Sequence, residues 1–227
     1  MKKISLIVIA VVLMSACCTG CKKENAINTE KFDYGSIKDS TIYVNKFFDF
    51  SIEIPKGWDI QTADETAVLM ESGKEIVSGE NKKLKESIEK SEINTANLLT
   101  AFEYDPATNT QTYNPSIMIL AENVQNFNHI KSGSDYLNDA KKILSQSNIS
   151  LKISPTYRHE TIAGFDFDIM DAHNNYKGIN ISQQYYATVK NGFAFCMVLS
   201  CNNQKQKQKL MNAISTIGSY KDLKKRR

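Results

Sequence analysis

"FDFDIMDAHNNYKGINISQQYYATVKNGFAFCMVLS", residues 165–200, is the stretch that decides the fold. Phe165, Phe167 and Ile169 alternate with Asp166 and Asp168, the period of two of a half-buried strand. Asn174-Asn175 and Gly178 supply turn residues, and Ile179, Ile181, Tyr185, Ala187 and Val189 then occupy alternate positions of a second strand. Asn191-Gly192 is a hairpin signal, because both residues tolerate the positive φ of a type I′ turn. Phe193–Leu199 is apolar at every position, so both faces of that third strand must be covered. The stretch reads as an antiparallel meander whose last strand lies in the middle of a sheet.

Working outward, Ser116–Val124 repeats the doubly apolar texture with Ile117, Met118, Ile119, Leu120 and Ala121. Leu98–Tyr104 is a further strand, and Ile42, Val44, Phe50, Ile52 and Ile54 mark a strand pair ended by Pro55 and Gly57. The cover comes from helices. Ser132-Gly133-Ser134-Asp135 is a capping sequence ahead of the apolar face Tyr136, Leu137, Ala140, Ile143 and Leu144. Leu210, Ala213, Ile214 and Ile217 form a last amphipathic helix. Between 64 and 91 the aliphatics fall near helical spacing, with Gly73 and Gly79 expected to split the segment. The fold class is therefore α+β: an α/β/α sandwich with a largely antiparallel central sheet.

"YVNKFFDFSIEIPKGW", residues 43–58, resembles the opening of PsbP-like domains, in which a strand pair leads to Pro-x-Gly-Trp. The later order of helix, strands, helix, an Ala-Gly-Phe lead into a meander, and a C-terminal helix is similar too, over about residues 41–217. The resemblance implies a shape rather than an activity, since that fold serves different partners in different hosts. No ion-associated position of the family is recognised here.

The other end of the chain speaks of location. Met1-Lys2-Lys3 precedes thirteen uncharged residues, Ile4–Ala16, a length suited to an export signal and short of the roughly 20 that a membrane-spanning helix needs. Leu13-Met14-Ser15-Ala16-Cys17 resembles a bacterial lipobox, so Cys17 is the expected site of lipid attachment, with Cys21 behind Thr19-Gly20 as the alternative. The expected organisation is a signal peptide at 1–16 (or ending at 20), a polar tether at 17–40, a single domain at 41–220 and a basic tail at 221–227. A flexible coil of the tether's length holds the domain roughly 25 Å from the anchor.

Composition is globular, at 41% hydrophobic and 23% charged, and excludes neither binding nor catalysis. The formal charge of +3 includes Lys2 and Lys3, so the mature chain is near neutral and has no global field for nucleic acid. The basic runs Asn202–Lys209 and Lys221–Arg227 read as solvated surface, with attraction to an anionic surface as the alternative. Cys196 and Cys201 share one strand, about 16 Å apart and on opposite faces, too far for a disulfide, which spans at most about 7 Å. Cys196 reads as a buried apolar residue; Cys201, at the strand end, has a reactive thiol as its alternative.

Chemical motifs are sparse. His159-Glu160-Thr161-Ile162-Ala163 lacks the second histidine of a zincin helix and precedes a strand. Asp166, Asp168, Asp171 and His173 form the densest group of ligand types, but strand alternation puts the first two on one face and the last two on the other. Met170 also occupies what would be a ligand position of a calcium loop. His129, His159 and His173 are scattered, and no nucleophile elbow or phosphate-cradling glycine loop is present. Tyr104, Tyr113, Tyr185 and Tyr186 are candidates for an exposed binding face, with Tyr185 favoured for the core. The expectation is a non-enzymatic, lipid-anchored extracytoplasmic module with no cofactor, no metal and no nucleic acid, binding an envelope protein. The alternative is a small-molecule or divalent-metal-binding lipoprotein for uptake or sensing.

Overall fold

The computed structural model describes residues 32–108, 113–147 and 149–225. Cys17 and Cys21 lie outside them. In chain order the elements are β1 (Ser36–Lys38), β2 (Ile42–Asn45), β3 (Phe50–Glu53), β4 (Asp59–Ile60), α1 (Ala63–Ser78), α2 (Lys82–Glu92), β5 (Thr95–Phe102) and β6 (Ser116–Asn123). They continue with α3 (Gly133–Leu144), β7 (Leu151–Ile153), β8 (Arg158–Ile162), β9 (Phe165–Tyr176), β10 (Ile179–Lys190), β11 (Phe193–Cys201), α4 (Gln204–Ile214) and α5 (Tyr220–Lys225). The main sheet runs β4-β5-β6-β11-β10-β9-β7, with β8 also pairing with β9. Its strand pairs are all antiparallel, and a separate three-stranded sheet runs β1-β2-β3.

The two doubly apolar strands lie side by side at the centre, where alternate side chains feed two cores. On one face Met118, Leu120, Cys196 and Val198 meet Val77 of α1, Leu84 and Ile88 of α2, and Tyr136 and Leu137 of α3. On the other, Ile117, Ile119, Phe195, Met197 and Leu199 meet Leu210, Ala213 and Ile214 of α4. The small sheet completes this second cover. Phe48 and Phe50 bring their ring centroids to 4.9 Å from that of Phe195, and all three rings are fully buried. Burying each such ring contributes about 1.5–3 kcal/mol, which is what fastens the small sheet down.

Local chemistry sets the element ends. Ser132 caps α3: its hydroxyl accepts from the Asp135 N–H at 3.2 Å, and the Asp135 carboxylate accepts the Ser132 N–H at 2.9 Å. Thr62 and Glu65 do the same for α1. The expected break at Gly73 does not occur. That residue is buried in the middle of α1, where packing outweighs its poor helix propensity, and the break falls at Gly79 with φ 51°. The turn expected at Asn174-Asn175 and Gly178 occurs at Gly178 but not at Asn174-Asn175. Both asparagines belong to β9, and the chain reverses at Lys177-Gly178 with φ 51° and 83°. Asn191-Gly192 turns where the sequence places it, with φ 55° and 81°.

The folded body begins before Thr41, which corrects the tether boundary. Phe32 is buried with its ring centroid 4.9 Å from that of Phe193. Asp33 accepts from the Lys46 N–H at 2.8 Å, the Tyr43 hydroxyl donates to the Tyr34 carbonyl at 2.9 Å, and β1 pairs with β2. At the other end, residues 221–225 belong to α5 rather than a tail, and the Lys221 N–H donates to Asp49 at 3.0 Å. Among the described residues no helix is long and apolar enough to cross a membrane.

Candidate functional site

The face of the sheet that carries α4 is not covered to its edge. Beyond α4, towards β7 and β8, it leaves an open groove of about 710 Å³. This is within the range of about 300–1,000 Å³ usual for small-molecule sites. Sheet register builds the floor. Lys152, His173, Ser182 and Cys201 are successive partners across β7, β9, β10 and β11, so they form one row. Asp171 and Gln184 pair in the next row, and Arg158, Ile169 and Tyr186 in the one beyond. Lys207, Met211 and Ile214 of α4 form the opposite wall. Their spacing of four and three residues keeps them on one helix face.

Arg158 organises the floor. Its Nε donates to Asp171 Oδ2 at 3.1 Å, and a terminal nitrogen reaches Glu160. Asp171 also accepts from Gln184 Nε2 at 2.7 Å. Burial pushes the Asp171 carboxyl up, but the Gln184 and Arg158 hydrogen bonds and the Arg158 charge outweigh it and hold the group below its ordinary value. Burial raises the Tyr186 hydroxyl, with Arg158 beside it acting in the opposite sense. His173 Nδ1 lies 3.0 Å from Ser182 Oγ.

These partnerships bear on catalysis. A Ser-His-acid relay needs the acid on the second imidazole nitrogen, and Asp171 is instead engaged by Arg158 and Gln184. Cys201 lies along the same floor, but it is 6% exposed and burial raises its thiol, so it is held protonated rather than as the nucleophilic thiolate. Cys196 is fully buried in the opposite core, and both cysteines are free. The arrangement is suited to holding a ligand by charge, hydrogen bonds and apolar contact.

The residues singled out from the sequence separate as alternation requires. Asp166 accepts from the Thr161 hydroxyl at 2.7 Å. Asp168 accepts the Ser134 N–H at 2.6 Å and lies 3.2 Å from His159 Nδ1, docking the start of α3 on the sheet. Asp171 and His173 face the groove on the other side. His129 pairs with Asp139 at 2.5 Å, away from both groups. No group of three His, Cys, Asp or Glu able to hold a metal occurs among the described residues. The expected aromatic face does not form: Tyr113, Tyr185 and Tyr186 are buried, and Tyr104 alone of the four is exposed. Tyr186 points to the polar side of β10, but α4 and Arg158 cover that side.

Lys152, Arg158 and Gln184 were not singled out from the sequence, Lys207 entered only within the basic run Asn202–Lys209, and Glu160 only within the rejected zincin-like run. A partial signal exists in Arg158-x-Glu160 and in the polar alternation Ser182-x-Gln184. What joins them is register between strands far apart in sequence.

No family model matches the sequence, PsbP-like or otherwise, and no curated protein matches it. Three solved structures align with parts of the chain. A Pseudomonas aeruginosa protein of unknown function aligns at TM-score 0.39 and 12% identity, over 48% of this chain and 74% of that one. A Bacteroides thetaiotaomicron protein aligns at 0.42 and 10%, over 79% of this chain and 48% of that one. LpqN of Mycobacterium tuberculosis, involved in cell envelope biogenesis, aligns at 0.40 and 13%, over 74% and 78%. Likeness at this level carries no functional argument.

Proposed function

We propose that the chain is a non-enzymatic binding module, held at the outer face of an envelope membrane by a lipid on Cys17, that takes a small ligand into the groove between β7–β10 and α4. The groove carries this reading. Its polar groups converge from four strands and a helix, its volume suits a small molecule, and its carboxylates are already paired with Arg158 rather than free as bases. The expected envelope-protein partner gains no aromatic face, since three of the four candidate tyrosines are buried, and the groove favours the small-molecule reading instead. The anchor is supported by the lipobox-like run Leu13–Cys17.

Two experiments test the two halves. Labelled palmitate should appear on the full chain and be lost in Cys17→Ala; no label on the full chain, or label retained in a Cys17→Ala/Cys21→Ala double variant, refutes the anchor at these cysteines. A thermal-shift screen of small metabolites should find a stabilising ligand. At 100 times its dissociation constant it adds about 2.7 kcal/mol. Met211→Trp, which fills the groove from α4, should abolish that shift; a shift unchanged in Met211→Trp places the ligand elsewhere.

A further inference from the structure

The groove's charges are unequally committed. Arg158 is engaged by two carboxylates, Glu160 and Asp171, so these three groups largely neutralise one another. Lys152 and Lys207 have no carboxylate partner among the described residues, and both line the groove. Lys152 begins the sheet row, and Lys207 lies on the α4 wall beside its far end. Lys152 is the cross-strand partner of His173, and Lys207 is close enough to Cys201, at the other end of that row, for its charge to act on the thiol. His173 stands between them with Nδ1 on Ser182 and Nε2 left for another partner. The next surfaces along the groove are apolar: Met211 and Ile214 from α4, and the Tyr186 ring.

A metal cation is repelled by these lysines, and a neutral sugar would leave them unused. An acid group seated between Lys152 and Lys207 meets two unpaired charges, while an apolar chain attached to it covers Met211, Ile214 and Tyr186. We infer that the ligand of the groove is an acid amphiphile, an anionic oxygen group joined to a short apolar chain, recognised by Lys152, His173 and Lys207. This rests on the groove reading above and names the chemistry of its occupant.

The test uses the full chain in phosphatidylcholine nanodiscs at low salt, with empty nanodiscs as the blank. Hexanoylglycine and hexanoylglycinamide, which share a tail and differ in the charge, are titrated calorimetrically. The acid should bind saturably and the amide about 10-fold more weakly. Exposed ion pairs of this kind contribute up to about 5-fold in affinity each. Lys152→Gln and Lys207→Gln should therefore each weaken the acid by up to about 5-fold and together by about 10-fold or more, while Lys205→Gln, on the same helix but outside the groove lining, leaves it unchanged. Raising the salt to about 1 M, where the screening length falls to about 3 Å, should have the same sense. Equal binding of acid and amide, or an undiminished affinity in the double variant, overturns the inference. Absence of any hexanoylglycine binding also overturns it. If Met211→Trp then still abolishes a metabolite-induced thermal shift, the groove reading stands while the acid chemistry falls; if it does not, both fall.

Discussion

Replacing Arg158 by methionine removes the guanidinium and keeps a flexible apolar stem. Two charges 3.1 Å apart attract by about 5 kcal/mol at an effective dielectric of 20, but these groups are partly in water. The side chains are 44% exposed for Arg158, 27% for Asp171 and 42% for Glu160. Solvent screening and side-chain ordering reduce such pairs to about 1 kcal/mol or less each. Arg158→Met should therefore cost about 1–2 kcal/mol at pH 7, or about 3–6 °C in Tm for a domain of this size. The sign of the pH dependence follows from Asp171, whose folded value lies below its unfolded one. Above the ordinary carboxylate range near 3.9 its contribution is complete. As the pH falls further, the unfolded chain takes the proton first, and the contribution is lost as pH drops through the folded value. Thermal unfolding followed by circular dichroism should thus show a gap between wild type and Arg158→Met that is full at neutral pH and shrinks in acid. An Asp171→Asn background should shrink it too. No gap at pH 7, or a gap that stays constant into strong acid, would refute the ion-pair account of the groove floor.

Three further outcomes follow from the fold and can be read by chemical denaturation. Phe195→Ala removes a fully buried ring packed against Phe48 and Phe50 and should cost about 3–5 kcal/mol; a loss under 1 kcal/mol would mean the small sheet is not fastened there. Ser132→Ala removes the α3 cap and should cost about 1 kcal/mol, whereas Ser134→Ala, which keeps the N–H to Asp168, should cost less. Gly133→Ala would put a Cβ 2.0 Å from the Ala187 carbonyl oxygen, so it should lose about 1–3 kcal/mol or more through displacement of α3; an unchanged midpoint would contradict the close approach of α3 to β10.

The meander and the two central strands were legible because their signal is local. Alternation in Phe165–Ile169 and continuous apolar runs in Ser116–Ala121 and Phe193–Leu199 each report their own burial. Phe32 was not legible, because a single aromatic among polar residues has no period; its burial depends on Phe47, Phe48 and Phe193, far along the chain. Gly178 was legible as a turn residue and supplies the positive φ, but the two asparagines that also suit a turn belong to the strand, where Asn175 Nδ2 donates across the hairpin to Asn180 at 2.7 Å. Tyr186 looked solvent-facing because its strand neighbours are polar, but that polarity belongs to the groove. The groove itself joins residues from 152 to 214, and only the register of β7, β9, β10 and β11 brings Lys152, His173, Ser182 and Cys201 into line.

The most direct measurement is native mass spectrometry of the full chain, extracted from its own membrane in a mild detergent. Wild type should carry a small non-covalent ligand, and Met211→Trp and His173→Trp, which fill the groove from α4 and from the floor, should both arrive empty while keeping the circular dichroism of the folded protein. A wild-type chain that is always empty, or filled variants that keep the same adduct, would contradict a ligand site between the sheet edge and α4.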